Sequence, residues 1–146
     1  MKILAVASGG GHWVELLRLR PAFDDHDVTY LSTNESFAKT VNGFPFYIVE
    51  DVSRWNKIKF ITVGLKMLKI IKRIKPDFII TTGAAPGVLS IIIGRILNIK
   101  TVWIESMCHI EKRSLSGRIA AFFASRAYTQ WPHLATKTFK YKGGVI

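Results

Sequence analysis

Three glycines separate a short apolar run from a histidine near the start of the sequence, in the stretch AVASGGGHWVEL. Glycines at the end of a buried strand let backbone N–H groups approach a bound group closely. The helix that follows adds the positive end of its dipole, which favours an anion such as a diphosphate. His12 follows directly, and a neutral imidazole can accept a proton. A tight turn without a ligand explains the same glycines, so this triplet leaves both interpretations open.

Two later stretches carry residues of similar chemical use. TTGAAPGVLS at 81–90 again separates a predicted strand from a predicted helix. Two such turns at one edge of a sheet favour a shared phosphorylated ligand over two unrelated turns. WIESMCH at 103–109 offers Glu105 and His109 for acid–base work or for binding sugar hydroxyls. The four histidines and the single cysteine lack metal-ligand spacing, so we expect no metal and no cofactor.

The elements that must position these residues alternate between strand and helix along the sequence. Apolar runs predict strands at 2–7, 27–33, 44–50, 77–83, 100–106 and 127–131, with a short terminal piece at 137–144. Helical spacing predicts helices at 12–20, 57–75, 86–98 and 114–126. This alternation predicts an α/β, Rossmann-like parallel sheet with helices on both faces, in a single domain spanning 1–146. Ligands bind such sheets at the carboxyl ends of the strands, which all three stretches follow.

The composition is globular but strongly basic. Hydrophobic residues make up 49%, and 21 Lys and Arg against 10 Asp and Glu give a net charge of +11. Such a charge favours nucleic acid, an anionic membrane or a phosphorylated substrate. No nucleic-acid-binding module is recognisable, so we expect no nucleic-acid partner. No segment approaches the ~18–20 apolar residues of a spanning helix, and a single cysteine suits a reducing compartment. We therefore expect a cytoplasmic location.

The predicted helix at 57–75 has an apolar face beside a basic one and contains no acidic residue. This pattern is typical of a helix that lies at a membrane surface. A sheet-covering helix with solvated charges explains the apolar stripe equally well, but it does not explain the missing acids. Trp55, just upstream, suits the level of the lipid headgroups. The predicted membrane contacts are Trp55, Phe60, Lys66, Met67, Lys69, Lys72 and Arg73.

Four stretches that occur in order, SGGGHWVEL, TTGAAPG, WIES and TQWPHL, carry a resemblance to a known family. The series resembles the acceptor-side subunit of the two-subunit N-acetylglucosaminyltransferase that works on dolichol-diphosphate sugars in eukaryotes. It is still more similar to bacterial relatives in capsule and exopolysaccharide synthesis, where a short chain pairs with a second short chain. The wider kin are GT-B transferases such as the lipid-II-forming transferase of peptidoglycan synthesis. The resemblance covers essentially the whole chain and implies the N-terminal half of a GT-B fold.

The resemblance also implies a function. This chain would bind a polyprenyl-diphosphate-linked saccharide at an anionic membrane, while a separate donor-binding subunit holds the UDP-sugar, and the chain alone would be inactive. The eukaryotic subunit carries an amino-terminal membrane anchor that this sequence does not show, so we expect peripheral attachment at the inner face of the cell membrane. Carried over residue by residue, the catalytic residues would be His12 and Glu105. The residues near the acceptor diphosphate would be Ser8, Gly9, Gly10, Gly11, Gly83, Ala84, Ala85, Gly87 and Ser106.

A stand-alone nucleotide- or nucleotide-sugar-binding protein is the alternative interpretation. Such a protein carries an acidic residue for a ribose at the end of its second strand, where this sequence has Asn34 and Glu35. Against this alternative, 146 residues leave no room for a second substrate domain.

Overall fold

The computed structural model describes residues 1–23, 25–53 and 55–145. Its strands are β1 (Lys2–Val6), β2 (Asp27–Ser32), β3 (Phe46–Ile48), β4 (Phe78–Thr81), β5 (Lys100–Ile104), β6 (Arg126–Thr129) and β7 (Phe139–Tyr141). Its helices are α1 (Gly11–Arg18), α2 (Lys57–Ile74), α3 (Ala84–Ile96) and α4 (Leu115–Phe123). Short 3₁₀ helices lie at Arg20–Phe23, Glu35–Val41 and Pro132–Leu134. The predicted terminal piece contributes β7, which pairs with β6.

All seven strands of the described part run parallel in the order β3-β2-β1-β4-β5-β6-β7. The order reverses at β1, which lies between β2 and β4. Val6 of β1 and Thr81 of β4 pair in register, so the two glycine loops leave the sheet side by side. A reversal of this kind opens a crevice at the carboxyl ends of the strands, where ligands bind. The predicted Rossmann-like fold class is confirmed.

Helices cover both faces of the sheet. On one face, α3 lies between α2 and α4 and contacts both. On the other face, α1 packs Trp13 against the strands. Ile3 of β1 belongs to the core beneath α1, whereas its neighbour Leu4 belongs to the core beneath α2 and α3. Burial on both faces explains why the strands are continuous apolar runs rather than alternating ones.

Helix α2 forms where the sequence predicts it, but its orientation corrects one predicted membrane contact. The side chain of Met67 is fully buried in the core between α2 and the sheet, so the prediction that it contacts lipid is wrong. Phe60 is partly buried against the same core. The exposed apolar side chains of α2 are instead Ile58, Ile61 and Leu65. In the described ranges, no helix is both long and apolar enough to span a bilayer.

Candidate functional site

His12 lies in the first turn of α1 and joins the two glycine loops. Its Nδ1 lies 2.8 Å from the carbonyl oxygen of Thr82. A carbonyl oxygen can only accept, so Nδ1 donates and the neutral ring keeps Nε2 as an acceptor. In return, the Thr82 hydroxyl donates to the carbonyl oxygen of His12 at 2.7 Å. This pair of hydrogen bonds fixes the start of α1 to the end of β4, with one imidazole nitrogen available to accept a proton.

Gly83 makes room for the His12 ring. It is the N-cap of α3, with φ of 132°. A Cβ at this position would lie 2.8 Å from Cε1 and 2.9 Å from Nδ1 of His12. These separations are well inside normal van der Waals contact, so any larger residue would displace the ring. The sequence predicts that Gly83 contacts a ligand, and the structure adds a second reason for a glycine here, which is the space that the imidazole occupies.

Two cavities meet at His12 and Ala84, which line both of them. The first cavity, of about 570 Å³, extends toward the segment between β5 and α4. The second cavity, of about 560 Å³, extends toward the end of β2. Of the predicted diphosphate contacts, the first cavity is lined by Gly83, Ala84 and Ser106. The second is lined by Ser8, Gly9, Ala84 and Ala85.

The two cavities differ in charge. The first is lined by three cations, Lys112, Arg113 and Arg118, and by one carboxylate, that of Glu105, whereas the second is lined by the two carboxylates of Glu35 and Asp51. Across 1–23, 25–53 and 55–145, the one ion pair joins His109 and Glu105. No lysine or arginine in these ranges forms an ion pair. These three cations are not among the site residues predicted from the sequence. Their signal was the absence of any Asp or Glu after Glu111, in a stretch with seven Lys and Arg.

Glu105 is 1% exposed and uses both carboxylate oxygens to hold the protein together. Oε2 accepts from Trp103 Nε1 at 2.8 Å, and Oε1 accepts from the Ser114 backbone N–H at 2.9 Å. His109 Nε2 lies 3.7 Å from Oε1. Gly117 leaves the space that this carboxylate occupies, because a Cβ there would collide with Oε2. Glu105 therefore holds the loop between β5 and α4 in place, with a hydrogen bond to each of its carboxylate oxygens.

Three other predicted contacts stand in different surroundings from those expected. Gly87 is buried inside α3, where a Cβ would lie 2.5 Å from Thr81 Oγ1. It serves packing of α3 on the sheet and lines neither cavity. Gly10 and Gly11 are exposed beside the crevice, outside the lining of both cavities. Gly10 has φ of 69°, a conformation that glycine adopts without strain.

The loop after β5 is held from two other elements by residues that sequence reasoning left without a role. Glu15 of α1 is 3% exposed and accepts from Ser106 Oγ at 3.1 Å and from the Met107 backbone N–H at 2.8 Å. After β6, Gln130 Nε2 donates to the carbonyl oxygen of Glu105 and Trp131 Nε1 donates to that of Met107. Among the described side chains, His, Cys, Asp and Glu form no group that could hold a metal ion.

Residues 49–145 match a family described as "Oligosaccharide biosynthesis protein Alg14 like". The human protein named "UDP-N-acetylglucosamine transferase subunit ALG14" is 29% identical over 100% of this chain and 83% of its own length. The mouse protein of the same name is 26% identical with the same coverage. The Schizosaccharomyces pombe protein is 37% identical over a shorter region, 42% of this chain and 32% of its own length.

Solved structures share the fold at low sequence identity. MurG of Acinetobacter baumannii matches with a TM-score of 0.81 over 99% of this chain, at 16% identity. UDP-GlcNAc 2-epimerase from Methanocaldococcus jannaschii matches with a TM-score of 0.70 over 88% of this chain, at 14% identity. The chain spans 46% and 39% of the length of these two structures. It therefore has the fold of the N-terminal half of MurG.

Proposed function

Because the chain belongs to the Alg14-like family of oligosaccharide biosynthesis proteins, we propose that it is the acceptor-binding subunit of a two-subunit UDP-sugar glycosyltransferase. The relatives' shared name, a transferase subunit, supports a catalytic partner in a separate chain. We propose a polyprenyl-diphosphate-linked saccharide as acceptor and capsular or exopolysaccharide synthesis as the setting. The observation that carries the proposal is His12, held with Nε2 as an acceptor where two cavities meet.

In the proposed reaction, a hydroxyl oxygen of the acceptor saccharide attacks the anomeric carbon of the UDP-sugar. A new glycosidic C–O bond forms, the bond from that carbon to the diphosphate breaks, and UDP leaves with the electron pair. The hydroxyl proton passes to Nε2 of His12, which is the nitrogen not bonded to Thr82. The saccharide occupies the second cavity, where Glu35 and Asp51 can accept hydrogen bonds from sugar hydroxyls.

The donor site belongs to the partner in this proposal. The chain matches less than half the length of MurG, and we propose that a second chain supplies the missing half with the UDP-sugar. One observation favours the alternative of a stand-alone nucleotide-binding protein. Glu35 lines the same cavity as Ser8 and Gly9, as the acid that contacts a ribose does in nucleotide-binding sheets.

Reconstitution with a donor-half chain from the same genome tests the proposal. We expect the two chains to copurify, and we expect sugar transfer from a UDP-sugar to a lipid-diphosphate saccharide only when both are present. The isolated chain should not bind UDP-sugar in a titration calorimeter, because the proposal assigns the donor site to the partner chain. Transfer by the isolated chain contradicts the two-subunit proposal. Tight UDP-sugar binding by the isolated chain supports the nucleotide-binding alternative instead.

We further propose that α2 attaches the complex to the cytoplasmic face of the membrane. Its exposed side carries Ile58, Ile61 and Leu65 beside Lys66 and Lys69. Trp55 is 81% exposed just before the helix begins. Apolar side chains flanked by lysines fit a helix that lies in the headgroup region, where each cation near an anionic surface contributes about 1 kcal/mol. The net charge of +11 also favours binding to an anionic membrane.

Replacing Lys66 and Lys69 with glutamine should weaken binding to anionic vesicles. At about 1 kcal/mol for each cation, we expect about a 30-fold loss of affinity for phosphatidylglycerol vesicles in a sedimentation assay. The matched control replaces Lys2 and Lys100, which are exposed at the amino ends of β1 and β5. Both double variants lose the same charge, so equal losses would indicate a net-charge effect and would contradict attachment through α2.

A further inference from the structure

We infer that the lipid-diphosphate end of the acceptor binds along residues 112–122, with the diphosphate in the first cavity and the lipid beside α4. This inference rests on the proposed function, which supplies the acceptor class, and it assigns a site that the glycine loops alone did not indicate. A diphosphate esterified to a long apolar chain needs cations and, directly beyond them, an exposed apolar surface. The segment offers both in that order.

The cations that line the first cavity favour it as the binding site of the diphosphate. Lys112 and Arg118 are exposed and, within the described chain, neither is paired with a carboxylate. The Arg113 guanidinium is held 5.0 Å above the ring of Phe139, with a long 3.5 Å contact to the Thr136 hydroxyl. Arginines bind phosphate oxygens through several N–H groups at once. The Glu105 carboxylate also lines the first cavity, but three cations outnumber it there, whereas the second cavity is lined by Glu35 and Asp51, which would repel a diphosphate.

An apolar groove continues from these cations. Arg113 and Arg118 line both the first cavity and a smaller one of about 220 Å³ between α4 and β7. Ala121 and Phe122 line this smaller cavity. Phe122 is 87% exposed, although aromatic side chains usually gain by burial. A lipid whose diphosphate lies between the two arginines would leave the first cavity along this groove.

The exposed side of α4 extends the apolar surface. Leu115, Ile119 and Phe123 are each at least 39% exposed and share the helix with Phe122. Leu115 also lines the first cavity, so charged and apolar parts are continuous. No acidic residue occurs anywhere after Glu111, which suits an anionic occupant. Because α4 and α2 cover the same face of the sheet, the lipid would leave the site on the side that we propose faces the membrane.

Two soluble probes test the assignment: inorganic diphosphate, which has the charge alone, and farnesyl diphosphate, which has charge and an apolar chain. Replacing Lys112 and Arg118 with glutamine should weaken binding of both probes by about 10- to 100-fold, since hydrogen bonds to charged groups are lost. Phe122→Ser should weaken farnesyl diphosphate about tenfold and leave inorganic diphosphate unchanged. Lys112, Arg118 and Phe122 are all exposed, so circular dichroism should show that each variant keeps its fold.

Matched controls separate the site from general charge and hydrophobicity. Lys100→Gln removes an exposed cation at the opposite edge of the sheet, and Ile96→Ser removes an apolar side chain that is 72% exposed at the end of α3. Neither should change the binding of either probe. The inference is overturned if the wild-type chain binds neither probe, or if the variants with changes at 112, 118 and 122 bind like wild type. It is also overturned if Phe122→Ser weakens only the capture of the partner chain.

The sugar-transfer assay distinguishes failure of this inference from failure of the proposed function. If the variants change binding as expected but the reconstituted pair transfers no sugar, then the lipid-diphosphate site stands and the transferase proposal fails. If the pair transfers sugar and the Lys112 and Arg118 double variant keeps the wild-type KM for acceptor, then the transferase stands and this site is wrong.

Discussion

Replacing His12 with alanine is expected to lower the turnover of the reconstituted pair by about 10²–10⁴-fold, the usual contribution of a general base. Acceptor affinity should stay near wild type, because the cations and the remainder of both cavities are intact. The reason is the hydrogen bond from Nδ1 to the Thr82 carbonyl oxygen, which leaves Nε2 to take the proton. The measurement is kcat and KM for a lipid-diphosphate saccharide at saturating UDP-sugar.

The control for this variant is His26→Ala, which removes a partly buried histidine just before β2 and outside both cavities. It should leave kcat unchanged. A His12→Ala complex that keeps near-wild-type kcat would place the base on another residue. His109, which lines the first cavity 3.7 Å from the Glu105 carboxylate, would then be the next residue to replace.

Gly83→Ala should lower kcat by about 10²-fold without removing any functional group, because displacing a reacting group by about 1 Å has effects of this size. The added methyl would lie 2.8 Å from Cε1 of His12, at a φ of 132° that alanine tolerates poorly. The ring must therefore move away from the Thr82 carbonyl oxygen. Thermal unfolding of the variant should be measured first, to separate this displacement from loss of the fold.

A double-mutant cycle isolates the interaction between these two residues. In a His12→Ala background the ring is gone, so Gly83→Ala should reduce kcat little further, and the two losses should not be additive. Gly43→Ala is the matched control, since Gly43 also has a positive φ, of 90°, but a Cβ there would meet nothing within 4 Å and the residue lines neither cavity. Fully additive losses would mean that Gly83 acts through backbone strain rather than through the position of His12.

Most elements were predictable from the sequence because each one is bounded by local signals. Helix α2 ends at Ile74, two residues before Pro76, as the proline predicts. The continuous apolar runs marked β1, β4 and β5 as strands buried on both faces. The two glycine loops were also recognisable as neighbours, since the carboxyl ends of parallel strands share one edge. The Rossmann-like class followed from this alternation.

Which residues line the site and which serve packing was not predictable, because this depends on contacts between distant parts of the chain. Gly83 and Gly87 look alike in TTGAAPG. Gly83 faces His12, 71 positions earlier, whereas Gly87 faces Thr81 and Trp103. Glu105 looked like an acid–base residue until Trp103 and Ser114 proved to occupy its oxygens. The direction in which a side chain points is set by helix and strand packing, which no single motif encodes.

The bracing of the loop between β5 and α4 has an entropic consequence. Glu15 holds this loop from α1, Glu105 holds it from within, and Gln130 and Trp131 hold it from beyond β6. A loop free to sample many conformations loses that freedom when a ligand arrives, at a cost of about 1–2 kcal/mol for each residue ordered. Here the ordering occurs when the protein folds, so an incoming anion meets cations on a backbone that is already fixed. Preorganisation of this kind turns more of the contact energy into affinity.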